Sequence, residues 1–244
     1  MKENKISLGY ASRAAGSCRI EAGEELIPEI CGDTAVSCRL PDGSRAVILS
    51  DGMGHGIEAA AESRAAAGLL RRLLKQGVPS ARAVKEVNRY LLQRNQEKET
   101  FATVDLAIIG QTEGRAKFYK MGAAPSYIIR GSRIRRISRD ALPAGILPEI
   151  RLTHVSARLS AGDIIVMMSD GICDSGCRGD EAGHTGTNSD WVESFLNDAE
   201  LGKLGPRQMA DAILKEAEKR YGGRETDDAT VAVVIIRCKR TDII

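Results

Sequence analysis

Two stretches of the chain run apolar for several residues and then stop on the same three letters: AVILSDG at 46–52 and IIVMMSDG at 164–171. Short apolar runs with no polar alternate read as strands buried on both faces. Around them the pattern alternates. Residues 5–15 read as an edge strand, and 32–40 and 44–51 read as a hairpin turned at Pro41-Asp42-Gly43. At 56–75 the spacing becomes helical, with Ile57, Ala60, Ala61, Ala66, Leu69, Leu70, Leu73 and Leu74 recurring on one side. A second helical pattern at 79–96 carries Val84, Val87 and Leu91 on one face, with Gly77 as C-cap and Pro79 in its first turn, so an αα-hairpin is expected.

Strand patterns return at 101–110, 115–122, 125–131 and 132–138. Residues 142–149 read as a connection, 151–159 as an alternating strand and 163–170 as the second fully apolar strand. The stretch 174–189 has almost no apolar residues and four glycines, which suits a flap over a site or a surface loop. Helices are expected at 189–198 and 206–221, the latter opened by Pro206 and closed by Gly222-Gly223, before a last strand at 229–237. There is no βαβ rhythm. The inventory predicts an α+β protein, a β-sandwich of two antiparallel sheets flanked by pairs of antiparallel helices. Composition shows no internal break, so one domain is expected over 1–244, with its core at about 5–238.

Composition narrows the partners. A net charge of +2 argues for neither nucleic acid nor membrane, and no apolar run approaches the roughly 18 residues that span a bilayer. The N-terminus lacks the apolar segment of a secretory signal, so a cytosolic location is expected, as a free domain or as the cytosolic part of a longer membrane protein. The six cysteines are scattered without metal-site spacing and read as reduced thiols.

The hairpin brings chemistry together. Asp33 opens its first strand and Asp51 closes its second, so the two carboxylates meet at one edge. If 163–170 and 229–237 are antiparallel neighbours, Asp170 and Asp227-Asp228 share an edge in the same way. A cluster of aspartates without His or Cys suits oxygen-preferring Mg²⁺ or Mn²⁺. Two such ions could activate a water and neutralise a phosphate. Any single Asp-Gly more often only caps a turn, but four such caps by coincidence are disfavoured. Other phosphate chemistries lack their motifs. There is no Gly-x-x-x-x-Gly-Lys-Ser/Thr loop, no Cys-x5-Arg loop and no Asp-x-Asp nucleophile.

Seven segments in order now carry a resemblance: GDTAVS (32–37), LSDGMGHGIEAAAES (49–63), ETFATVDLAII (99–109), KMGAAPSYIIRG (120–131), LPAGIL (142–147), MSDGICD (168–174) and TDDATVAVV (226–234). The chain resembles the metal-dependent protein phosphatase 2C superfamily, in its bacterial branch of stage II sporulation protein E type. The resemblance implies a β-sandwich between helix pairs and a site of two Mn²⁺ or Mg²⁺ ions. Asp51 would bridge both ions, with the Gly52 carbonyl on the first, Asp33 acting on that ion directly or through water, and Asp170 and Asp227 completing the second. It further implies hydrolysis of phosphoserine or phosphothreonine by a metal-bridged hydroxide. The implied partner is a phosphorylated STAS-domain anti-sigma-factor antagonist in sporulation or stress sigma-factor control. The different-class alternative is a catalytically silent phosphoprotein-binding relative, and a homodimer stays open. The Gly122-Ala123-Ala124-Pro125 stretch lacks the aspartate that helps to hold a third metal in eukaryotic members.

Other residues are weighed against plainer roles. His55 is a candidate general acid but reads better as a solvated loop histidine. Asp105, inside an apolar strand, is expected to find a structural hydrogen bond. Arg13 is a weak candidate for binding phosphate. The arginines between 130 and 139 could dock an acidic phosphoprotein but are more often the wet face of a hairpin. The helix at 56–75 follows directly from the DGMG loop, so its movement would shift Gly52, and the helix pair is expected to be a regulatory switch that couples partner binding to metal occupancy.

Overall fold

The computed structural model describes residues 4–15, 30–54, 56–95, 101–111, 114–175, 190–222 and 227–238. Two five-stranded antiparallel sheets lie face to face. One takes the order β1 (Asn4–Arg13), β10 (Ala229–Cys238), β9 (Ile164–Met168), β6 (Ser126–Arg130), β7 (Arg133–Ile137). The other takes the order β2 (Asp33–Arg39), β3 (Arg45–Asp51), β4 (Val104–Ile109), β5 (Arg115–Met121), β8 (Val155–Arg158).

The period-2 pattern explains the layers. In β3, Val47 and Leu49 join Phe118, Ile165, Met167 and Val234 between the sheets. The alternate residues Ala46 and Ile48 face Leu70, Leu74, Val84 and Leu91 of α1 (Gly56–Lys75) and α2 (Ser80–Asn95). On the other side, Val166, Met168, Val231 and Val233 pack on Met209 and Ile213 of α5 (Pro206–Tyr221) and on Val192 and Leu196 of α4 (Asp190–Leu196). Both Ser-Asp-Gly strands are therefore buried on two faces, which is why neither alternates. The expected α+β sandwich between helix pairs is the observed one.

Three boundaries differ from the pattern. The 101–110 strand becomes regular only at Val104. Ala102 instead forms isolated bridges to Gly52 and to Ala144, which draws the expected connection at 142–149 into a short three-strand patch. The 151–159 strand pairs only over Val155–Arg158. The second apolar strand ends at Met168, and Asp170 starts a one-turn helix, α3 (Asp170–Cys173), so it does not sit on a strand tip. The expected loop at 174–189 lies, beyond Asp174 and Ser175, outside the described residues.

Candidate metal centre

β2 and β3 pair so that Asp33 lies opposite Asp51. In the other sheet, β9 and β10 pair with Met168 opposite Val231. The next step of that ladder is made by Ser169, whose N–H donates to Thr230 O at 3.0 Å and whose hydroxyl accepts the Thr230 N–H at 2.8 Å. Asp170 and Asp227-Asp228 therefore flank one strand end, and the seam between the sheets brings both pairs together.

The two acidic neighbours at the start of β10 have different work. Asp228 is buried, and its carboxylate accepts the Ala15 N–H and the Gly32 N–H, each at 2.8 Å. It fastens the end of β1 and the start of β2 to β10. Asp227 is less buried, and its Oδ1 accepts the Asp228 N–H at 2.8 Å.

Electrostatics define the cluster. Burial, and then the charges of Asp33, Asp170 and Asp227, push the Asp51 carboxyl up to about 9. Burial raises Asp33 to about 7, with Asp228 and Asp170 adding to the rise, and burial with Asp170 lifts Asp227 to about 6. Asp33 is only 8% exposed, and among the described residues neither of its oxygens has a hydrogen-bond partner. The Ser169 and Thr230 hydroxyls face it and oppose the rise, but stand outside hydrogen-bond geometry. A buried carboxylate with two orphaned oxygens is costly unless something positive meets it. Among the described residues no three of these groups close on a single point, so the aspartates are neighbours across the seam and not a finished cage. Oxygen-only donors with unspent lone pairs still fit hard divalent cations.

Two glycines let the backbone reach the seam. A methyl on Gly52 would overlap the Ala59 carbonyl of α1, and one on Gly171 would overlap the Asp228 carbonyl. Ala59 also lies against Gly32, so the first turns of α1 seat directly on the segments that carry Asp33 and Asp51.

Some participants escaped the sequence pattern. Thr103 donates its N–H to Asp51 O at 2.8 Å, and its hydroxyl accepts the Asp51 N–H at 2.9 Å. Its carbonyl accepts the Ser50 hydroxyl at 2.7 Å. Asp174, one turn beyond Asp170, is raised by burial and by Asp170 and borders the cluster. Asp105 has no part in the cluster. It accepts Lys120 Nζ at 2.6 Å and the Ser126 hydroxyl at 2.7 Å in the core, and Lys120 also donates to Ala124 O at 2.6 Å. Arg13 pairs with Glu218 of α5 at 2.6 Å. His154 stacks obliquely on Tyr119, with ring centroids 5.3 Å apart. His55 lies outside the described residues, as does His184.

Solved structures with this architecture are PP2C-type phosphatase domains. One holds the PP2C phosphatase domain and a fragment of the regulatory domain of the cell fate determinant SpoIIE from Bacillus subtilis. It matches with a TM-score of 0.82 at 31% identity, over 98% of this chain and 65% of that one. A crystal form of the same phosphatase domain without domain swapping gives 0.71 at 29% identity, over 100% and 97%. The family model for stage II sporulation protein E (SpoIIE) matches residues 41–237. The stage II sporulation protein E of Bacillus subtilis strain 168 is 32% identical over 235 residues, 96% of this chain and 26% of that protein. That of Priestia megaterium is 33% identical over 204 residues, 84% of this chain and 33% of that protein. The chain belongs to the stage II sporulation protein E family, and it spans about a quarter to a third of the length of these two relatives.

Proposed function

We propose that this chain is a single phosphatase domain, a Mn²⁺- or Mg²⁺-dependent hydrolase of phosphoserine and phosphothreonine in proteins. The observation that carries the reading is the seam itself. Four segments bring carboxylates to neighbouring positions across one seam, and the most buried of them, Asp33, has no hydrogen-bond partner on either oxygen among the described residues. Asp51 would bridge two ions, the Gly52 carbonyl and Asp33 would serve the first, and Asp170 and Asp227 the second. When bound, the ions supply an activated water and offset the charge of the phosphoryl group.

The chain's own contribution is placement. Thr103 fixes the main chain of Asp51, Asp228 ties three segments together behind the cluster, and Ala59 of α1 presses on Gly52. The α1–α2 pair is thereby a lever on the metal ligands, as the sequence suggests. No helix among the described residues is long and apolar enough to cross a membrane, and we take the domain to work in the cytosol. Family membership supports a phosphorylated STAS-type anti-sigma-factor antagonist as the substrate.

The test is release of inorganic phosphate from such a phosphoprotein with Mn²⁺. The reading expects turnover that EDTA abolishes and that falls by several orders of magnitude in Asp51→Asn and Asp170→Asn. Binding of the phosphoprotein without any release would favour the silent relative.

A further inference from the structure

Positive charge is concentrated on one side of this nearly neutral chain. Residues 130–158 hold seven arginines against two acidic residues, a net +5 in a chain of +2, so the remainder sums to −3. The fold gathers these arginines at a seam of two edge strands. β7 is the outermost strand of one sheet and β8 of the other, and Arg135 of β7 reaches across to Ser156 O of β8 at 3.3 Å. Arg133, Arg136, Arg139, Arg151 and Arg158 are exposed, and among the described residues Arg130 is the only one of the seven with a carboxylate partner, Asp163 at 2.6 Å. Arginines that only solubilised an edge would serve as well with acids interspersed. Here the outer edge of β7 carries none.

The strip leads to the candidate centre. Ser126 of β6 pairs with Ile137 of β7, and Tyr127 pairs with Val166 of β9, so the C-terminal end of β7 lies at the Asp170 end of the sandwich. Arg136 is within electrostatic reach of Cys173, the last residue of α3. Beyond it, Arg139 and Arg151 line a cavity of about 350 Å³ that also takes Asp140 and Glu149, the two acidic residues of the segment, and the exposed Leu142 and Leu147. The five residues of β7 span about 17 Å, the length of a five-residue extended acidic segment.

Building on the phosphatase reading, we propose that Arg133, Arg136 and Arg139 dock an acidic segment of the phosphoprotein substrate, extended along β7, and so deliver its phosphoserine to the aspartate seam. The occupant is an acidic polypeptide. The open main chain of an edge strand can pair with another extended chain, and β7 carries no aromatic side chain as a platform for bases.

The experiment compares two fluorescent phosphoserine peptides of equal length, one with acidic and one with neutral flanks. Their binding is read by anisotropy in EDTA at low salt, and their kcat/KM with Mn²⁺. The acidic peptide should bind at least about tenfold tighter to the wild type, with the preference fading as salt rises. The preference should vanish in Arg133→Glu/Arg136→Glu/Arg139→Glu, with folding checked by thermal melting. Should the triple variant not fold, Arg133→Gln/Arg136→Gln carries the same test. Equal affinities in the wild type, a preference retained in a folded variant, or tighter capture of a single-stranded oligonucleotide than of the acidic peptide would overturn the proposal. Preferential binding without turnover of either peptide would sustain the docking surface and contradict the phosphatase reading alone.

Discussion

Thr103 holds Asp51 by both ends of its main chain: the threonine N–H donates to Asp51 O at 2.8 Å, and the threonine hydroxyl accepts the Asp51 N–H at 2.9 Å. The residue proposed to bridge two ions is thus fixed in position by one neighbour from outside its own hairpin. In Thr103→Val the shape is kept and the acceptor is lost, so the Asp51 N–H loses its partner. Mn²⁺ affinity measured by calorimetry should fall by about tenfold, while Thr103→Ser should stay near the wild type. Wild-type affinity in a folded Thr103→Val protein would remove Thr103 from the account.

The aspartate cluster makes stability depend on pH in a direction opposite to ordinary acid denaturation. Asp33 and Asp51 are raised to about 7 and about 9, above the values near 4 of an unfolded chain. Their neutral forms favour the fold, so this contribution is complete below about pH 4 and is lost as pH climbs through 7 and 9. In EDTA, Asp51→Asn should melt close to the wild type at pH 5 and above it at pH 9. A variant that melts below the wild type at every pH would show that the carboxylates do not repel one another.

The same shifts govern metal binding. At pH 7 the Asp51 carboxyl holds its proton in the metal-free protein, so a cation must displace it. Mn²⁺ affinity should rise between pH 6 and pH 9. Titrations in buffers of different ionisation heat should report between one and two protons released per chain at pH 7, one from Asp51 and about half of one from Asp33.

Lys120 and Asp105 form a pair whose side chains are 0% and 1% exposed. Lys120→Met would strand a buried carboxylate and should cost about 3–5 kcal/mol in urea unfolding. Lys120→Met/Asp105→Leu should recover most of that loss, because a well-packed apolar pair replaces the ion pair. Additive losses in the double variant would mean that the two residues act separately.

Gly52 admits no side chain, since a methyl would meet the Ala59 carbonyl on helical backbone that cannot swing aside. Gly52→Ala should push α1 off the seam, cost about 1–3 kcal/mol and weaken Mn²⁺ binding at the same time. A stable variant with unaltered affinity would separate α1 from the metal ligands.

The parts of the molecule legible in the sequence are those with a local signature. The Pro41-Asp42-Gly43 turn and the period-2 pattern around it set the hairpin register, and the meeting of Asp33 with Asp51 follows from that register alone. The helix pair and the layer order follow from periodicity in the same way. What stayed hidden depends on partners far along the chain. Asp228 binds amide groups 213 and 196 residues away, so nothing near it marks it as a fastener and not a ligand. The bridges of Ala102 to Gly52 and Ala144 have no period, so Thr103 could not be read as the holder of Asp51. A lone carboxylate at 105 announces a need for a partner, but naming Lys120 requires the β4–β5 register. The unbroken apolar run points to a strand ending on Asp170 and hides the one-turn helix that this residue starts.

The central claim is that the seam holds two divalent ions for phosphate hydrolysis. Its most direct measurement is Mn²⁺ stoichiometry by calorimetry together with phosphate release from a phosphoserine peptide in the same preparation. The account predicts two ions per wild-type chain with turnover, and loss of both ions and of turnover in Asp51→Asn. Undiminished turnover in EDTA, or an Asp51→Asn protein that still binds two ions and releases phosphate at the wild-type rate, would contradict it.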